Sequence, residues 1–132
     1  MGTTEENRRT VRAAFEQWEQ GDSRPFFALV ADDVRWTVTG STGISGTFHS
    51  KGAFVTQAAG LLTKRFAGPL VAKLVDVSAD GDKVFVQWEG SAVSVTGVDY
   101  EQVYCWVLSM RDGRVVEALA YLDTELVSAV LK

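Results

Sequence analysis

The hydrophobic period of the chain changes at Pro69, and no other feature of the sequence constrains the fold as much. From residue 70 onward, apolar and polar residues alternate through four runs, LVAKLVDV, KVFVQWEGSAVSV, YEQVYCWVLSM and RVVEALAYL. Alternation of this kind puts one face of a strand on a core and the other toward solvent. The separators ADGD, TGVD and RDGR are short, and each carries a glycine where a tight turn needs positive φ. Strands joined this closely pair antiparallel, so the second half of the chain predicts a curved antiparallel sheet.

The first half supplies what covers that sheet. Residues 4 to 20 set Val11, Ala14, Phe15 and Trp18 at helical spacing, with Thr3 and Glu6 as a capping box and Gly21 as the stop. Ser23 predicts the cap of a short second helix that begins near Pro25 and ends near Ala31. VRWTV then alternates as a half-buried strand, with Val34, Trp36 and Val38 on one face. Ser50 predicts the cap of a third helix over 51–66, with a stripe of Phe54, Ala58, Leu61, Leu62 and Phe66. The closing TELVSAVL fits a short helix or a frayed strand. Helix, helix, strand, helix and then four strands is the order of an α+β domain with its helices gathered on one face, read here as a single domain over 1–132.

Composition narrows the function classes. With 46% hydrophobic and 23% charged residues and a net charge of −4, the chain suits a globular core. It lacks the clustered Lys and Arg that nucleic acid or an anionic membrane surface would require. The single Cys105 forms no internal disulfide, no apolar run reaches membrane-spanning length, and no basic leader opens the chain, so the expected compartment is the cytoplasm.

The segments FEQWEQGD (15–22), ALVADDVRW (28–36), GTFHSKGAF (46–54), RDGRVVE (111–117) and AYLD (120–123) together resemble the nuclear transport factor 2-like superfamily, nearest its SnoaL-like polyketide cyclase branch. The resemblance spans nearly the whole chain. It implies a cone-shaped sheet and three helices enclosing a pocket, a homodimer, and a final strand that ends inside the pocket with Asp123, which similar cyclases use as general acid and base. Departures are also visible. Val38 and Ala14 stand where ketosteroid isomerases carry their aspartate base and tyrosine donor, no arginine lies between Val84 and Val107, and the only histidine is His49.

From the residues themselves, alternation groups Val84, Val86 and Trp88 on one strand and Tyr100, Gln102, Tyr104 and Trp106 on the next. On the last strand it groups Val115, Glu117, Leu119, Tyr121 and Asp123. These positions predict a pocket walled by Trp36, Trp88 and Trp106, with Tyr121, Tyr104, Tyr100 and Gln102 as polar contacts and Asp123 as proton carrier. The small-residue loop after Val38 would frame its entrance. Asp123 equally fits the cap of a terminal helix, and the tryptophans equally fit a solid core or a dimer face. His49 reads as a solvated surface group, Cys105 as a buried small hydrophobe, and Asp32 and Asp33 as hydrogen-bonding partners of nearby backbone. No metal-ligand spacing or phosphate loop is present. The expected activity is therefore cofactor-independent proton transfer on a small hydrophobic or polyketide-like molecule, with a non-catalytic ligand-binding or dimerising module as the alternative. An outer face carrying Phe85, Val103, Cys105 and Val107 suits a homodimer.

Overall fold

A computed structural model describes residues 3–132. The elements run α1 (Thr4–Glu19), α2 (Arg24–Leu29), β1 (Val30–Val38), β2 (Gly46–Phe48), α3 (Lys51–Phe54), a π-helical turn (Val55–Ala59), α4 (Gly60–Thr63), β3 (Val71–Asp80), β4 (Lys83–Val93), β5 (Asp99–Arg111), β6 (Arg114–Leu122) and α5 (Thr124–Leu131). One unclosed six-stranded sheet has the order β2-β1-β6-β5-β4-β3. Its pairings are antiparallel except for β1 on β6, which run parallel. That parallel pair, and the three-residue strand β2, were not expected from the sequence. Both depend on partners remote in the chain or too short to show a period.

Local chemistry explains the helix ends. Thr3 Oγ1 accepts the Glu6 N–H at 3.0 Å. After α1 the chain turns at Gly21 (φ 96°), where the Gly21 and Asp22 N–H groups donate back to the Trp18 and Gln17 carbonyls, closing a Schellman motif. α2 stops at Leu29, not near Ala31, because Val30 is already paired with Val115 in the sheet. Ser23 holds the cap position without a side-chain bond there, and Asp22 Oδ1 accepts the Arg24 N–H instead, at 3.1 Å. Ser50 Oγ accepts the Ala53 N–H at 3.0 Å as expected. The helix it starts ends at Thr63 and contains the π turn, and Leu61 leaves the buried stripe at 42% exposure.

The inner sheet face carries the core. On β5, Tyr100, Gln102, Tyr104, Trp106, Leu108 and Met110 are all buried, facing Val84, Val86 and Trp88 on β4. Trp88 stands directly opposite Tyr104, and the two rings stack at 4.1 Å and 13°. Gly90, next along β4, leaves them room: a Cβ there would lie 3.0 Å from Tyr104 Cε2 and 3.2 Å from Trp88 Cζ3. Phe15, Trp18 and Phe26 pack on the same cluster from α1 and α2, with ring centroids 4.8 to 5.4 Å apart. Aromatic contacts of this kind add about 0.5–1.5 kcal/mol each beyond the area they bury.

A β-bulge on β6 changes the expected side-chain pattern. Met110 pairs with Val115 but Ser109 pairs with Glu117, so Val116 is an extra residue in the strand. An inserted residue exchanges the two faces beyond it. Val115, Ala118 and Ala120 are buried, whereas Glu117 is exposed and Tyr121 is 48% exposed. The expected shared inner face of Val115, Glu117, Leu119, Tyr121 and Asp123 does not exist.

Two further expectations change. Asp32 and Asp33 lie exposed at the irregularity between β1 and β6, and neither carboxylate makes a hydrogen bond among the described residues. Cys105 is half-buried on the outer sheet face and not in the core.

Candidate functional site

The concave side of the sheet and the helices enclose a cavity of about 490 Å³. That size lies within the ordinary range of small-molecule sites, and the aromatic residues do not fill the space. Four strands supply its floor: Trp36 and Val38 from β1, Trp88 from β4, Tyr104 and Trp106 from β5, and Ala120 and Leu122 from β6. Ala118 and Ala120 of β6 pair with Trp36 and Trp106 and leave the width that larger side chains would take. The opposite wall is the rod formed by α3, the π turn and α4, which contributes Phe54, Val55, Ala58, Ala59 and Leu62. Phe54 stacks on Trp36 at 4.1 Å and 19°. Exposed Gly21, Val55, Thr63 and Pro69 mark the mouth, between the α1–α2 corner, the rod and the approach to β3. Trp18 Nε1 donates to the Leu70 carbonyl at 3.0 Å and ties α1 to that approach.

Of the loop over 39–45, expected to frame the entrance, only buried Ile44 lines the cavity. Ser45 Oγ donates to the Thr39 carbonyl at 2.9 Å, and Thr39 Oγ1 donates to the Ala120 carbonyl at 3.0 Å. Gly40 (φ 91°) abuts α5, where a Cβ would lie 2.5 Å from Thr124 Cγ2.

Trp36, Trp88, Tyr104 and Trp106 thus meet in the cavity wall. Tyr100 and Gln102 are buried behind it and are not part of the wall. Asp123 and Tyr121 are not among the cavity's lining residues; they line a more open groove with Val75, Gln87, Glu89, Val103 and Cys105, which shares Trp88, Tyr104 and Leu122 with the cavity. Asp123 is exposed, and its Oδ1 accepts the Leu126 N–H at 3.2 Å as the cap of α5. Its position on the pocket floor, implied by the resemblance, is overturned by the β6 bulge. His49 is exposed and is not among the lining residues. The residues that the sequence did not nominate are those of the rod: the stripe Phe54, Ala58 and Leu62 was legible as apolar, but nothing local showed that it faces a void.

The polar groups of the site follow a simple rule. Among the described residues lining the cavity there is no Asp, Glu, His, Lys or Arg. Burial raises the Tyr104 hydroxyl well above the usual tyrosine range and raises Tyr100 as well, so both keep their protons at neutral pH. The indole N–H groups of Trp36, Trp88 and Trp106 have no hydrogen-bond partner. Trp106 stands edge-to-face to Trp36 (5.0 Å, 89°) and to Trp88 (4.9 Å, 81°).

An open, mostly antiparallel sheet curved around a pocket, with its helices on the concave side, defines the nuclear transport factor 2-like class of α+β protein. Within that class the SnoaL-like domain family matches residues 11–118, and the chain belongs to it. The fold is similar to that of Bal32a from a soil-derived mobile gene cassette (TM-score 0.81, 22% identity, 98% of each chain covered). It is also similar to TerC co-crystallised with polyporic acid (TM-score 0.75, 19% identity, 95% of this chain and 97% of that one). A protein from Jannaschia sp. CCS1, whose suggested assignment is SnoaL-like polyketide cyclase, aligns with a TM-score of 0.73 at 18% identity over 95% of this chain and 90% of that one. No curated protein matches this sequence. Among the described residues no helix is long and apolar enough to cross a membrane.

Proposed function

We propose that this SnoaL-like domain binds a small, neutral, largely apolar and flat organic molecule in the aromatic cavity. One observation carries the proposal: a cavity of about 490 Å³ walled by Trp36, Trp88, Trp106, Tyr104 and Phe54, whose lining contains no Asp, Glu, His, Lys or Arg. Flat aromatic walls favour a planar ligand through stacking, and a charged ligand would lose its hydration there without a counter-charge. Proton transfer needs a base within hydrogen-bond reach of the reacting atom. The cavity lining offers no carboxylate or imidazole, and Asp123 is engaged as the α5 cap in the neighbouring groove. The binding module is therefore favoured over the cyclase-like or isomerase-like enzyme.

The test is a tryptophan fluorescence titration with naphthalene and 1-tetralone. Saturable binding is expected, together with its loss in Ala59→Phe, which fills the void from the rod while circular dichroism stays unchanged. Absence of binding in the wild type removes the proposal. Conversion of a bound compound by the wild type but not by Asp123→Asn would restore the enzyme.

The outer sheet face supports an assembly proposal. Val75, Val103 and Tyr121 are 56%, 59% and 48% exposed around the outer groove. Pairing of that face with a second copy would cover them in a homodimer. Sedimentation should show a dimer that Val103→Glu converts to monomer, and a monomeric wild type at high micromolar concentration would exclude it.

A further inference from the structure

We infer that Gln102, Tyr100 and Tyr104 form a proton-ordered hydrogen-bond chain that leaves Tyr104 as a dedicated donor in the cavity wall, so that the site selects ligands carrying an acceptor oxygen. The inference rests on the ligand-binding reading above and deepens it.

The order of protons follows from counting donors and acceptors. Gln102 Oε1 accepts two backbone N–H groups, from Asp123 at 2.7 Å and from Val103 at 3.0 Å. An NH₂ group in that place would face two donors, so the backbone fixes which end of the amide is oxygen. Gln102 Nε2 then donates both hydrogens, one to the Asp123 carbonyl at 2.9 Å and one to the Tyr100 hydroxyl at 3.2 Å. The Tyr100 hydroxyl, already an acceptor, lies 2.7 Å from the Tyr104 hydroxyl. These two hydroxyls hold two protons and share one hydrogen bond.

Only one arrangement avoids a buried orphan. Were Tyr104 to donate to Tyr100, the Tyr100 proton would have no acceptor at a residue that is 0% exposed. With Tyr100 donating to Tyr104, the free proton belongs to Tyr104, which lines both the cavity and the adjoining groove and meets no other acceptor among the described residues. Each donation in the chain polarises the next, which makes the last hydroxyl a better donor than an isolated phenol. Burial holds both hydroxyls protonated, as the arrangement requires. Gln102 and Tyr100 are positioning residues, and Tyr104 is the contact.

A matched pair of probes isolates the effect, since 1-tetralone and tetralin differ by one carbonyl oxygen. Wild-type protein is expected to bind 1-tetralone about 3- to 10-fold more tightly than tetralin, the worth of one neutral hydrogen bond. Tyr104→Phe should abolish that preference, weakening 1-tetralone more than tetralin until the two affinities meet, and Tyr100→Phe should reduce it in part. The carbonyl stretch of bound 1-tetralone should fall to lower wavenumber in the wild type than in hexane. That measurement needs no variant to fold. Equal wild-type affinities, or an unshifted carbonyl stretch, overturn the relay while the cavity reading stands. Parallel losses for both probes in Tyr104→Phe also overturn it, because they indicate packing. Failure of both probes to bind removes the ligand-binding reading and the relay with it.

Discussion

The side-chain amide of Gln102 clasps the backbone of Asp123 from both sides, accepting its N–H at 2.7 Å and donating to its carbonyl at 2.9 Å. The clasp joins the centre of β5 to the residue where β6 ends and α5 begins. Every hydrogen-bonding site of this buried amide is used.

Gln102→Ala should therefore be costly. It strands the Asp123 and Val103 N–H groups and the Asp123 carbonyl, and removes a donor to Tyr100. Unsatisfied buried groups predict a loss of about 3 kcal/mol, read from the urea midpoint. Hydrogen exchange should accelerate most in α5, whose start loses its anchor.

Asp123 is expected to matter for stability and not for binding. Its carboxylate caps α5 from an exposed position outside the cavity. Asp123→Ala should cost about 1 kcal/mol and Asp123→Asn less, because asparagine caps nearly as well. Affinity for 1-tetralone should be the same in both variants, by titration.

Gly60 closes the π turn by donating its N–H to the Val55 carbonyl, and a Cβ on it would lie 2.6 Å from that oxygen. Alanine ordinarily gains up to about 1 kcal/mol over glycine in a helix. Here the contact is with backbone, which cannot move without opening the turn, and overpacking of about 1–3 kcal/mol outweighs the gain. Gly60→Ala should lower the urea midpoint. Because Val55 and Ala59 line the cavity from that turn, it should also weaken ligand binding.

Stability should fall in alkali. Burial raises the Tyr100 and Tyr104 hydroxyls above the ordinary value of 10.0 in the folded chain. Above pH about 10 the unfolded chain releases these protons while the folded chain keeps them, so unfolding becomes easier as pH rises. The contribution is fully present below that value. Urea midpoints of the wild type should drop between pH about 8 and about 11, and the double variant Tyr100→Phe, Tyr104→Phe should drop less.

Much of this protein was written in short-range patterns. The capping residues Thr3 and Ser50, the stop at Gly21, the inward rows of β4 and β5, and the turns at Gly81, Gly97 and Gly113 each depend on residues a few positions apart. Steric limits on φ and the two side-chain periods act at that range, so the α+β order and the three wall tryptophans were legible. Tertiary packing decided the rest. The extra Val116 in β6 arises from how β5 and β6 fit together, and it turns Tyr121 outward, with Asp123 left exposed as the α5 cap. The parallel pairing of β1 with β6 and the void beneath the rod likewise depend on contacts dozens of residues apart. An alternating pattern states which residues share a face only while the strand stays regular, and a one-residue bulge costs too little for any local signal to announce it.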